Sequence, residues 1–183
     1  MRVITGTKRG IRLETLEGEA VRPTLEKTKE AVFSAIHFDI EGRRVLDLFA
    51  GSGQLGIEAL SRGAERAVFI DSSAEALEVV KRNVKKTGLE KQSVICRADA
   101  VSFVKATKET FDIAFLDPPY REGILIPAIK AILPLMSEFS TIVCEHPTDV
   151  ELPEEIGGFT TVRSYRYGKI AVTVYKSNKA VAE

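Results

Sequence analysis

The sequence lacks any apolar run near the 18 or more residues that a membrane span requires. It also opens on Met1-Arg2-Val3-Ile4-Thr5-Gly6-Thr7-Lys8, with no apolar leader segment, so a cytoplasmic protein with no membrane partner is expected. Cysteine is scarce. Cys96 and Cys144 both sit in strand-like apolar contexts and read as buried free thiols. The two histidines, His37 and His146, add no cluster of ligands at short spacing, so no metal is expected. Repeats and low-complexity linkers are absent. A chain of 183 residues, 44% hydrophobic and 28% charged, then suits one soluble α/β domain over 1–183. Net charge is absent too, with 26 basic and 26 acidic residues, which by itself argues against binding a bulk polyanion.

The distribution of charge is less neutral than its sum. Arg2, Lys8, Arg9 and Arg12 fall within residues 1–12 without an acid, and Arg163, Arg166, Lys169, Lys176 and Lys179 within 160–179 likewise. Two readings fit: a surface that faces phosphates, or strand edges kept basic against aggregation.

From Val45 onward strands and helices alternate. Val45–Leu48, Ala67–Ile70, Val94–Cys96, Ile113–Leu116 and Thr141–Cys144 are short apolar runs, separated by segments of helical period near 55–62, 73–87, 100–108 and 124–136. Ser73 suits an N-cap and Gly88 a helix exit. Repeated βα units predict a parallel sheet covered on both faces. The runs 160–166 and 170–176, around Tyr167-Gly168-Lys169, predict an antiparallel hairpin. Residues 1–40 read as an extension: a short β-ribbon over Arg2 to Glu14, then a helix capped by Thr24 with Leu25, Thr28, Val32 and Ile36 on one side.

The first chemical signal is Asp47-Leu48-Phe49-Ala50-Gly51-Ser52-Gly53-Gln54-Leu55-Gly56. Gly51, Gly53 and Gly56 let a backbone turn tightly against a ligand, and Asp71, about 20 residues on, ends the next strand where it can accept ribose hydroxyls. NAD or S-adenosyl-L-methionine could use such a turn. Asp47 favours the second, because an acid just before the turn suits a cationic methionine end and opposes a pyrophosphate. Asp99 closes the third strand, as an adenine contact, a helix N-cap, or both.

The second signal is Asp117-Pro118-Pro119-Tyr120 at the end of the fourth apolar strand. An exocyclic base amine is a weak nucleophile because its lone pair is delocalised into the ring. The Asp117 carboxylate and the Pro118 carbonyl, held rigid by the proline pair, can accept both amine hydrogens, and Tyr120 can stack on the base. The alternative is a proline turn that merely ends a strand. Its place at the carboxyl edge of an α/β sheet favours the ligand reading.

These segments, with Leu55-Gly56-Ile57-Glu58-Ala59-Leu60-Ser61-Arg62-Gly63-Ala64, the opening Arg2-Val3-Ile4-Thr5-Gly6, the Arg22-Pro23-Thr24 block and Lys29-Glu30-Ala31-Val32-Phe33, resemble the bacterial RsmD-type guanine-N2 methyltransferases of 16S rRNA. The resemblance spans nearly the whole chain. It implies a class I (Rossmann-like) methyltransferase fold, with a seven-stranded, mostly parallel sheet and an N-terminal β-ribbon reaching toward RNA. It implies S-adenosyl-L-methionine held by Asp47, Phe49, Ala50, Gly51, Gly53, Asp71, Ser72, Asp99 and Ala100. The target, guanine 966, would be handled by Asp117, Pro118 and Tyr120, with Pro119, Arg121, Arg22, Thr24, Arg2, Arg9 and Arg12 on the RNA. The implied partner is 16S rRNA within a small subunit or an assembly intermediate. Gln54, in place of a small residue, and Asp71, where Glu is common, depart from the family pattern. A DNA adenine-N6 or cytosine-N4 methyltransferase shares the tetrapeptide but usually carries a separate target-recognition region. An NAD-dependent oxidoreductase and a non-catalytic RNA-binding protein are the more distant alternatives.

Overall fold

The computed structural model describes residues 1–17, 23–119 and 123–182, and for residues 23–25 the backbone alone. Five parallel strands, β1 (Arg44–Asp47), β2 (Arg66–Asp71), β3 (Ser93–Arg97), β4 (Phe111–Leu116) and β5 (Met136–Pro147), are followed by β6 (Glu155–Ile156), β7 (Phe159–Tyr167) and β8 (Ile170–Ser177). They form one sheet in the order β3-β2-β1-β4-β5-β8-β7-β6, with β5 to β8, β8 to β7 and β7 to β6 antiparallel. The helices are α1 (Pro23–Ala35), α2 (Gln54–Ser61), α3 (Ala74–Thr87), α4 (Ala100–Ala106), α5 (Leu125–Ile132) and α6 (Asn178–Val181).

Strand alternation sorts the core into two layers. Val45, Ala67, Phe69, Ile113, Phe115 and Val143 face α1, α2, α3 and the N-terminal segment. Leu46, Val68, Ile70, Ala114, Leu116 and Ile142 face α5, with α4 packed against that layer. Sequence-based expectations hold for much of this. Ser73 caps α3 by accepting from Ala76 N–H at 3.2 Å, and Gly88 ends it at φ 66°.

Several expectations are corrected. The sheet has eight strands rather than seven, because Gly157 and Gly158, at φ 54° and 85°, turn the short β6 back onto β7. The N-terminal β-ribbon is present but short: an antiparallel bridge joins Arg2 and Arg12, with Val3 N–H donating to the Ile11 carbonyl and Leu13 N–H to the Met1 carbonyl at 2.9 Å each. Thr24 is the second residue of α1 rather than its cap, and its side chain lies outside the described residues. α5 ends at Ile132, where Pro134 sits in a 3-10 turn over Leu133–Leu135, and β5 starts at Met136. Cys144 is buried as expected, whereas Cys96 is only half-buried. Burial pushes the Cys144 thiol pKa up.

The N-terminal segment is held by charge as well as by apolar packing. Glu58 of α2 is fully buried and accepts from Ile4 N–H at 2.8 Å and Thr5 N–H at 3.0 Å. Its oxygens also meet Lys29 Nζ at 3.3 Å and Arg62 Nε at 2.9 Å. Lys29 lies in the buried stripe of α1 and donates to the Arg2 carbonyl at 2.8 Å; burial lowers its pKa, with Glu58 opposing that shift. Beside it, Ser61 donates to the Thr5 carbonyl at 2.6 Å and accepts from Lys8 N–H at 3.0 Å. At Gly6, φ 87°, a Cβ would lie 1.8 Å from the Ser61 carbonyl oxygen, so glycine is required there.

Removing Glu58 would leave a buried ammonium without its counter-charge and two amides without an acceptor. Glu58→Ala should therefore cost about 3–5 kcal/mol in urea unfolding. A loss below about 1 kcal/mol, the level of an exposed pair, would show that the network is dispensable.

Candidate active site at the carboxyl edge of the sheet

The strand order converts five sequence-distant acids into one row. Asp99 follows β3, Asp71 ends β2, Asp47 ends β1, Asp117 follows β4, and Glu145 lies near the end of β5. Neighbouring strands lie about 4.8 Å apart, so the row runs roughly 19 Å along the carboxyl edge. The chain reverses its direction of growth at β1 and β4, and such a switch point opens a crevice for ligands.

The glycine turn is clasped by the first part of this row. Asp71 Oδ2 accepts from Gly51 N–H at 3.0 Å, and its Oδ1 from Ser73 N–H at 2.9 Å. Asp47 Oδ2 accepts from Gly56 N–H at 3.0 Å. Gly51 and Gly53 take φ of 53° and 79°, the left-handed region where a Cβ is disfavoured. At Gly56 a Cβ would lie 2.3 Å from the Phe69 ring, so glycine there lets α2 seat on β2. Ala50 is buried, Phe49 and Gly51 half-buried, Ser72 exposed and Ala100 half-buried along the same edge.

This arrangement fits adenosylmethionine and not a dinucleotide. A pyrophosphate needs free N–H groups in the turn, yet those of Gly51 and Gly56 already point at carboxylates. A cationic amino-acid end, in contrast, is matched by buried acid. Asp99 caps α4 through Oδ1, taking Val101 and Ser102 N–H at 3.1 Å each, while its Oδ2 has no partner among the described residues. The cap and adenine readings of Asp99 are thus compatible.

Burial pushes the Asp47 pKa up to about 7, opposed by the Gly56 N–H bond and aided by the Asp71 charge. A bound cation would favour the ionised form.

At the other end, Asp117 is half-buried, Pro118 buried and Pro119 exposed. Tyr120, Arg121 and Arg22 lie outside the described residues. Arg2, Arg9 and Arg12 are exposed on the N-terminal segment, Arg2 with Glu26 at 3.6 Å. Asn83 of α3, which the sequence reading passed over, donates to the Ser52 and Glu14 carbonyls at 2.9 Å each and accepts from Glu14 N–H at 2.7 Å. It ties the glycine turn to the N-terminal segment. Glu145 was also missed, although an acid closing an apolar strand is the signal that marked Asp47, Asp71 and Asp117.

The model of the family described as conserved hypothetical protein 95 matches residues 1–176. "Putative rRNA methyltransferase YlbH" of Bacillus subtilis is 44% identical over 185 residues, 96% of this chain and 98% of its own length. "Ribosomal RNA small subunit methyltransferase D" of Haemophilus influenzae is 35% identical, over 72% of this chain and 70% of its own. Among solved structures, "Putative methyltransferase yhhF from Escherichia coli" superposes with a TM-score of 0.86 at 29% identity, covering 97% of each chain. The chain belongs to this family of RsmD-type methyltransferases, and its sheet is that of class I methyltransferases. Family and fold agree with S-adenosyl-L-methionine as the cofactor. Among the described residues no helix is long and apolar enough to cross a membrane.

An Asp whose pKa lies above its unfolded value of 3.8 adds stability while protonated and loses it as pH rises through about 7. The melting temperature of cofactor-free Asp47→Asn, relative to the wild type, should therefore climb between pH 4 and pH 8. A flat difference would mean that Asp47 titrates as an ordinary carboxylate.

Proposed function

We propose that the protein transfers a methyl group from S-adenosyl-L-methionine to the exocyclic N2 amine of a guanine in small-subunit ribosomal RNA. Guanine 966 is the position that the family resemblance implies. The observation carrying this reading is the row itself: two acids bonded to the glycine turn, with Asp99 beyond them on one side and Asp117-Pro118-Pro119 on the other. Adenosylmethionine, when bound, supplies an electrophilic methyl on a sulfonium.

The chain's own groups would do the rest. Asp99 Oδ2 accepts from the adenine amino group, Asp71 from the ribose hydroxyls, and Asp47 faces the cationic methionine end. Phe49, Ala50, Ser72 and Ala100 line the same edge. Asp117 accepts one hydrogen of the target amine and the Pro118 carbonyl the other, which draws the nitrogen toward tetrahedral geometry and frees its lone pair. A rigid Pro-Pro backbone limits the reorganisation needed at the moment of transfer. Tyr120 would stack on the base, with Pro119, Thr24, Arg22 and Arg121 around it. The exposed Arg2, Arg9 and Arg12 support an RNA-facing role for the N-terminal segment, within a chain organised as one methyltransferase domain.

With no net charge, the protein suits a shaped ribonucleoprotein surface, in a small subunit or its assembly intermediate, better than naked nucleic acid.

Tritiated adenosylmethionine should label small subunits lacking the modification and not duplex DNA; labelling of DNA alone would refute the assignment. Asp117→Ala should lower turnover by about 100-fold or more while S-adenosylhomocysteine still binds in calorimetry. Retained turnover would remove Asp117 from its role.

A further inference from the structure

A cavity that the proposed transfer chemistry does not use opens beside Leu116, the residue before Asp117. It lies on the α1 and α2 side of the sheet, and its lining includes Thr28, Lys29, Gln54, Leu116, Val143 and Glu145. Leu116 pairs with Cys144 across β4 and β5, so the next residues along each strand, Asp117 and Glu145, lie side by side. Strand alternation carries both onto the face of Phe115 and Val143. Gln54 reaches the cavity from the start of α2, and its Oε1 is buried with no hydrogen-bond partner among the described residues. A buried amide oxygen without a donor is costly unless a ligand supplies one. Lys29 faces this space as well, but its ammonium is engaged by Glu58 and the Arg2 carbonyl. Glu145 and Gln54 add acceptor oxygens to the wall nearest Asp117, alongside the Thr28 hydroxyl.

The three nucleobases with exocyclic amines differ in whether a ring N–H stands beside that amine. Guanine flanks its N2 amine with bare N3 on one side and N1–H, a donor, on the other. Adenine places bare N1 next to N6, and cytosine bare N3 next to N4, both acceptors. An ionised carboxylate presents acceptors only. Placed one strand spacing from the residue that holds the amine, it attracts N1–H and repels a bare ring nitrogen.

We infer that Glu145, assisted by the Gln54 amide oxygen, is the specificity-determining group of this site, selecting guanine over adenine and cytosine by accepting its N1–H. The inference rests on the proposal that Asp117 and Pro118 hold the target amine. It supplies a physical cause for a preference that family resemblance alone implied. It also gives a use to Gln54, the residue that departs from the family pattern in the glycine turn.

The test uses small subunits that lack the modification and carry either guanine or 2-aminopurine at the target position. 2-Aminopurine keeps the amine at position 2 but has a bare nitrogen at position 1. The wild-type protein should prefer guanine by about 10- to 100-fold in kcat/KM, the discrimination that one good base contact provides. Glu145→Gln can turn an amide N–H toward the bare nitrogen, so it should lose activity on guanine and shrink the preference several-fold. Gln54→Leu removes an acceptor without adding a donor and should also shrink it, which keeps the test informative if Glu145→Gln does not fold. Affinity for S-adenosylhomocysteine, read by calorimetry, should stay at the wild-type value in both.

An unchanged guanine preference in a folded variant overturns the assignment for that residue. Losses that follow cofactor affinity instead would move the residue to the cofactor half of the row and overturn its base-reading role. Failure of the wild type to label guanine-bearing subunits would overturn the underlying functional reading, and this inference with it.

Discussion

Two hydrogen bonds hold the ligand-facing loop in place: Gly51 N–H to Asp71 and Gly56 N–H to Asp47, each 3.0 Å. They shape the glycine turn before any ligand arrives, which limits the ordering cost of binding. They also set its sign. Amides that could cradle a phosphate are consumed by carboxylates, whose charge suits cationic or hydroxylated groups. The raised pKa of Asp47 follows from the same arrangement, since a carboxylate placed under a loop at 2% exposure loses its hydration.

The same loop is tied to the N-terminal segment at two points. Asn83 bonds both Ser52 and Glu14, and Glu58, one turn into the helix that the loop starts, binds Ile4 and Thr5. Ser52 is in the turn and Glu58 is in α2, so the segment carrying Arg2, Arg9 and Arg12 shares its supports with the glycine turn. Ligand sites built on shared rigid supports can be coupled energetically, because ordering one lowers the cost of ordering the other.

Much of the fold was legible from local signals. Apolar runs of three or four residues marked the parallel strands, Ser73 and Gly88 marked the ends of α3, and Gly168 marked the β7–β8 turn. Less legible were features in which a local rule was outvoted. The Gly157-Gly158 pair is a hairpin signal, but only two residues of β6 precede it, too few to show a period. Lys29 reads as a surface residue until Glu58, far along the chain, appears beneath it. The N-terminal ribbon pairs as its alternation suggests, Val3 with Ile11 and Leu13 with Met1, but its Ile4, Thr5 and Lys8 amides turn to Glu58 and Ser61, partners no local pattern reveals.

By itself the sequence determined which chemistry was present: a glycine turn preceded by an acid, an acid at the end of each parallel strand, and a proline-locked carboxylate. These are short-range facts, set by backbone torsions and by which side chains can accept a hydrogen bond. Tertiary structure alone decided which acids are neighbours. The order β3-β2-β1-β4-β5 differs from the order of synthesis, so it places Asp47 between Asp71 and Asp117 and brings Glu145 beside Asp117. Strand order and register arise from packing two apolar faces against helices, a property of the whole sheet that no single segment encodes.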